Sequence, residues 1–115
     1  MQIKDSNVTI MVNDMDNAIQ FYENIGLVVK QRWGNNYAMI GTAGITLGIH
    51  PAEGKTTGSG GLSIGFFIDN IEDAEATLNK HNISYQKEND SKSGIYAHFS
   101  DPDGTTLYFV QPMWQ

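Results

Sequence analysis

The sequence predicts an α+β fold built from two βαβββ modules in a single domain. Two repeats and one ordering carry that prediction. Val12-Asn13-Asp14-Met15-Asp16-Asn17-Ala18 returns as Ile68-Asp69-Asn70-Ile71-Glu72-Asp73-Ala74, an offset of 56 (12 to 68). Gly44-Ile45-Thr46-Leu47 returns as Gly104-Thr105-Thr106-Leu107, an offset of 60 (44 to 104). In each copy a strand end leads into a capped helix start, a helix, and then more strands. A chain of 115 residues is nearly filled by two such units and is large enough for one core. The expected division is module 1 over 1–51, a linker over 52–61 and module 2 over 62–115. The four extra residues of the second offset belong in a longer loop of module 2. A duplicated half-module tends to place its pocket where the halves meet.

Each element follows from local pattern. Val8, Ile10 and Val12 alternate with Asn7, Thr9 and Met11, the period of a half-buried strand. Asp14 and Asp16 offer carboxylates to the free N–H groups of a helix start. Ala18, Phe21, Tyr22 and Ile25 form its apolar stripe, and Gly26 ends it. Leu27 to Trp33 reads as a strand and Gly34-Asn35-Asn36 as a turn, because Gly and Asn tolerate positive φ. Tyr37 to Ile40 and Ile45 to His50 are strands around a Gly41–Gly44 turn. Pro51 to Gly61 has linker composition. It contains Gly54-Lys55-Thr56, but a phosphate loop needs a further glycine where Ile49 stands, so that reading is rejected. Module 2 repeats the order: strand Leu62–Ile68, helix Ile71 to about His81, strand Ile83–Lys87, polar loop Glu88–Ser93, strand Gly94–Ser100, turn Asp101-Pro102-Asp103-Gly104, strand Thr105–Gln111.

Composition narrows the partners. Acids outnumber Lys plus Arg 13 to 7, giving a net charge of −6. That argues against nucleic acid, whose binding needs a cationic surface, and tolerates a cationic ligand. No apolar run approaches the roughly 18 residues of a membrane helix. Met1-Gln2-Ile3-Lys4-Asp5 lacks the basic stretch and apolar run of a signal peptide, so the expected location is cytoplasmic. The chain has no cysteine, hence no disulfide framework and no thiolate nucleophile or ligand.

Val12-Asn13-Asp14-Met15, Ala18, Phe21-Tyr22, Gly26-Leu27 and, much later, Phe99-Ser100-Asp101-Pro102-Asp103-Gly104 together resemble the glyoxalase / bleomycin-resistance / dioxygenase family, the vicinal oxygen chelate superfamily. The resemblance covers essentially the whole chain. It implies two cupped, mostly antiparallel sheets closing a barrel-like cavity, and it implies homodimers. Metal-dependent members carry His, Glu or Gln at four inward positions, one on the first and one on the last strand of each module. The matching positions here are Asn7, Gly48, Ser63 and Tyr108. Zn²⁺, Fe²⁺ or Mn²⁺ needs three or four imidazole, carboxylate or thiolate donors. None of these four side chains is one, nor is any sequence neighbour of them. The expectation is therefore no metal and no cofactor, with no catalytic residue assigned.

The remaining candidates are aromatic or imidazole groups. His81 is expected to cap the end of the second helix. His50 shares strand parity with Gly48. His98, between Ala97 and Phe99, faces the same side as Tyr108. Two readings of His98 stand open: a half-buried ring bonded to Tyr108 or backbone, or a general base. Trp33 and Tyr37 flank a hairpin turn, and Trp114 lies near the C-terminus. They suit either stacking on a planar or cationic ligand or ordinary packing and a dimer contact. Gly48 and Gly65 are read as leaving room for a ligand, or as permitting close packing of two subunits.

Three functions follow. The preferred one is a metal-independent small-molecule binder of the bleomycin-resistance type, sequestering an antibiotic-like or cationic aromatic ligand through Trp33, Tyr37, Gly48, His50, Ser63, His98, Tyr108 and Asn7. The alternative is a glyoxalase- or dioxygenase-type lyase or oxidoreductase whose metal is held by unconventional ligands such as His50 and His98. The third is a domain kept for dimerisation or regulation.

Overall fold

The structure, a computed structural model, describes residues 1, 2, 4, 7–54 and 62–113. Most of the expected linker, with Lys55 and Thr56, lies outside them, as does Trp114. The chain divides into two compact units, Met1–Thr56 and Thr57–Gln115. Unit 1 holds β1 (Val8–Val12), α1 (Met15–Asn24), β2 (Val28–Trp33), β3 (Tyr37–Gly41) and β4 (Thr46–Pro51). Unit 2 holds β5 (Ser63–Phe67), α2 (Ile71–Lys80), β6 (Gln86–Asp90), β7 (Gly94–Ser100) and β8 (Thr106–Pro112). The strands form two four-stranded mixed sheets, ordered β1-β4-β3-β2 and β5-β8-β7-β6. Hydrogen bonding thus builds one sheet in each unit, as the two-module reading expected.

The same pairing is used twice. β1 lies parallel to β4 with Val8 opposite Leu47, and β5 lies parallel to β8 with Ile64 opposite Leu107. In unit 1 the helix-side face is Ile10, Val12, Ala38, Ile40, Leu47 and Ile49, all buried. In unit 2 it is Ile64, Phe66, Ala97, Phe99, Leu107 and Phe109. Burying each large side chain contributes about 1.5–3 kcal/mol. The helices supply Ala18, Ile19 and Tyr22 against the first sheet and Ala74 and Leu78 against the second. Ile19 replaces the expected Phe21 in the fully buried stripe, since the helix turns its 100° per residue past Phe21, which is half-buried.

The caps are local chemistry. Asp14 accepts from the Asn17 amide at 2.9 Å, and Asn70 accepts from the Glu72 amide at 2.9 Å. Asp16 is not a cap: its carboxylate pairs with Arg32 at 2.6 Å. Both helices end in a left-handed residue, Gly26 (φ 111) and Asn82 (φ 57), which stand 56 apart. Leu27 and Ile83 then donate back to Tyr22 and Leu78, the hydrogen-bonded close of a helix that turns out of its own axis.

One strand lies elsewhere than expected. β6 is Gln86–Asp90, not Ile83–Lys87, and the turn is correspondingly short. The apolar Ile83 and Tyr85 suggested the earlier start. β6 is an edge strand that pairs with β7 through its backbone and leaves nearly all of its side chains exposed, so it needs no apolar alternation.

Candidate functional site

Opposite its helix, each sheet has a second face, and alternation places nearly every sequence candidate there. In unit 1 that face carries Asn7, Thr9 and Met11, Thr46, Gly48 and His50, Tyr37 and Met39, and Gln31 and Trp33. Tyr37 crosses diagonally over Gly48. A methyl group added at Gly48 would fall on the Tyr37 hydroxyl and 2.8 Å from Thr9 Oγ1. The room expected above Gly48 is therefore filled by a phenol. Asn7 Nδ2 donates to the Tyr37 hydroxyl at 3.1 Å and fixes that crossing. Trp33 leans on Tyr37 with ring centroids 5.8 Å apart, and His50 meets its other side edge-on at 6.3 Å. His50 Nδ1 lies 2.7 Å from the Pro51 carbonyl. A carbonyl only accepts, so Nδ1 is the donor in this contact.

Beside Asn7 the first sheet opens into a groove of about 870 Å³ lined by Asn7, Val8, Met39, Ala43, Gly44, Ile45 and Thr46. Only Asn7 of the sequence candidates borders it. Met39 and Thr46 were missed, although each shares strand parity with a named candidate, Tyr37 and Gly48.

In unit 2 the corresponding face carries Ser63, Gly65 and Phe67, Thr106, Tyr108 and Val110, Tyr96 and His98, and Gln86 and Glu88. Tyr108 covers Gly65 as Tyr37 covers Gly48: an added methyl group would overlap the Tyr108 ring. His98 sits 5.9 Å from Tyr108 by ring centroid and stacks on Tyr96 at 5.4 Å with 5° between planes. Its Nε2 lies 2.8 Å from Glu88 Oε1. The expected bond from His98 to Tyr108 or backbone is thus a bond to Glu88, on the strand assigned as loop. Both partners are substantially exposed, so the pair is worth at most about 1 kcal/mol. Tyr96 was legible in the sequence, two residues from His98 on one strand.

His50 and His98 lie in different units, each with its own oxygen partner. Among the described residues no three His, Cys, Asp or Glu side chains stand together to hold an ion. The four positions that metal-dependent relatives furnish offer an amide already bonded to Tyr37, no side chain at Gly48, an exposed hydroxyl at Ser63 and a phenol lying on Gly65. That donor set does not fit a divalent transition ion.

A family model described as Glyoxalase/Bleomycin resistance protein/Dioxygenase superfamily matches residues 6–109. Among curated proteins none matches the sequence. Among solved structures, the chain is similar to a bleomycin resistance determinant encoded on transposon Tn5, with 19% identity over 96% of this chain and 99% of that one and a TM-score of 0.76. It is similar to a bleomycin-binding protein solved with bleomycin, at 19% identity, 95% and 98% coverage and TM-score 0.73. It also resembles a fosfomycin resistance protein, FosX, from Listeria monocytogenes, at 14% identity, 98% and 94% coverage and TM-score 0.80.

Proposed function

Since the chain belongs to the Glyoxalase/Bleomycin resistance protein/Dioxygenase superfamily, we propose that it is a metal-independent small-molecule-binding member, one that holds a ligand without breaking a bond in it. The observation that carries this reading is the substitution of phenols for donors at the centre of each open face. The Tyr37 hydroxyl lies over Gly48 and the Tyr108 ring over Gly65, and a phenol is not among the usual ligands of a divalent transition ion. What remains is a recognition surface: the Trp33–Tyr37 pair and His50 in unit 1, and Tyr96, His98 and Tyr108 in unit 2. Such faces suit a planar or cationic aromatic guest, and the acidic balance of the chain favours the cation. The likeness to a protein that binds bleomycin supplies the first ligand to try.

The same reading takes the protein as one cytoplasmic domain that pairs with a second copy. Exposed Met11, Trp33 and Phe67 on the open faces support the homodimer, and sedimentation equilibrium tests it. Untagged protein analysed for bound metal is expected to carry less than about a tenth of an equivalent of Zn, Fe, Mn, Ni or Co. Calorimetry with bleomycin is expected to show saturable heat that Trp33→Ala weakens. A stoichiometric metal would overturn the proposal. No heat and no thermal shift at millimolar bleomycin would remove the antibiotic as ligand.

A further inference from the structure

We infer that the groove of unit 1 takes the anionic head of a small amphipathic molecule, with the Lys30 ammonium as counter-charge. The inference rests on the binding reading above but departs from its preference for cations. β2 carries a bulge: its register passes from Val29 opposite Ile40 to Gln31 opposite Met39, leaving Lys30 without a partner on β3. A bulged residue is re-aimed relative to its neighbours. Lys30 uses that freedom to reach across the sheet to Thr46, placing Nζ 2.7 Å from Thr46 Oγ1 and 3.4 Å from the Thr42 carbonyl. Thr46 lines the groove, so the Lys30 ammonium lies within hydrogen-bonding distance of a lining side chain.

The partners of this ammonium are both neutral. Arg32 and Lys87 each hold a carboxylate, Asp16 and Glu75, whereas Lys30 has none within ion-pair distance among the described residues. An ammonium has three donors, and these two contacts leave one for a ligand. Thr46 Oγ1, accepting from Lys30, keeps its own proton to donate to the same anion. A carboxylate seated there would take two short hydrogen bonds, one of them charge-assisted. The rest of the groove is mainly apolar, with Val8, Met39, Ala43 and Ile45, and Asn7 and its Tyr37 bond close one side. Its volume of about 870 Å³ is within the range of small-molecule sites. In a chain of net charge −6, Lys30 is a cation beside an apolar trough with no carboxylate partner among the described residues.

The probes are octanoate, octanol and octyltrimethylammonium, each below its micellar concentration, titrated into the whole chain and read by amide chemical shifts. Octanoate is expected to shift the amides of Val8, Met39, Gly44 and Ile45 and to bind about tenfold tighter than octanol, equivalent to about 1.4 kcal/mol. Lys30→Gln should erase the preference without weakening octanol, and Lys30→Arg should keep it. Equal affinities, a preference for the cation, or a preference that survives Lys30→Gln would overturn the inference. Should Lys30→Gln not fold, the octanoate-to-octanol ratio on the unmodified chain still decides. Failure of all three probes would remove the anion site while leaving the aromatic faces to the metal and bleomycin measurements.

Discussion

The two units share a buried face and differ on the open one. Leu47 and Leu107 are both fully buried at equivalent register, opposite Val8 and Ile64. On the open side, Met39 of unit 1 corresponds to His98 of unit 2, and Gly48 to Tyr108, by position in the paired strands. Unit 1 consequently has an apolar groove beside Lys30, which has no carboxylate partner among the described residues, and unit 2 has a stacked Tyr96–His98 pair bonded to Glu88. Packing against a helix constrains one face of a sheet to a few apolar shapes, while the other face can diverge without unfolding the unit. The lesson is that duplication predicts the scaffold and says little about what the scaffold presents.

The strongest way to break the comparison is to test the shared face. Leu47→Ala and Leu107→Ala should each cost about 2–5 kcal/mol in urea unfolding, through lost burial and the cavity left behind. The two costs should agree within about 2 kcal/mol, the context dependence seen at buried leucines. A cost confined to one of them would mean that the units are not energetically equivalent.

The next test sharpens the glycine–tyrosine crossings. Gly48→Ala and Gly65→Ala should each cost about 1–3 kcal/mol by overpacking, since the new methyl group meets Tyr37 or Tyr108. In a Tyr37→Ala background Gly48→Ala should cost much less, and a double-mutant cycle in thermal unfolding measures the difference. Full additivity would show that the phenol does not rest on Gly48.

A smaller contrast lies at the helix starts. Asp14→Ala should cost about 1 kcal/mol. Asn70→Ala should cost less, because α2 has a second acceptor: Gln111 Oε1 takes the Ile71 amide at 2.9 Å, and its counterpart in unit 1 is Pro51. Equal losses in chemical denaturation would mean that Gln111 contributes nothing to the cap.

The smallest effect separates the two hairpin turns. Arg32 binds the first, through the Gly34 carbonyl and Asn35. The second is organised by Asp90, whose carboxylate accepts from the Lys92 amide at 2.9 Å. That amide, with Ser93 in support, holds the Asp90 carboxyl below its ordinary value of 3.8. A depressed folded value stabilises the protein above pH 3.8, and this contribution fades as pH falls through the lowered value. Carbon-detected NMR titration should find Asp90 ionising below 3.8, and a value at or above it would refute the turn's role.

Much of the fold was legible. Local pattern and the offsets of 56 and 60 located both helices, the helix end at Gly26 and seven of the eight described strands to within two residues. They did so because a buried face must repeat with the period of its element. β6 escaped because an edge strand such as Gln86–Asp90 is specified by the backbone of its neighbour. His98 was placed on the correct face, yet its partner Glu88 was invisible until β6 was.

What the sequence determined by itself was periodic: which residues turn inward and where the helices begin. What only the tertiary structure decided was lateral: that Tyr37 and Tyr108 lie over glycines, that a bulge sends Lys30 to Thr46, and that a groove opens beside Asn7. Periodicity is a property of one segment and is written in its residues. A contact across a sheet depends on register, bulges and side-chain rotamers in several segments at once, and no single stretch of the chain encodes it.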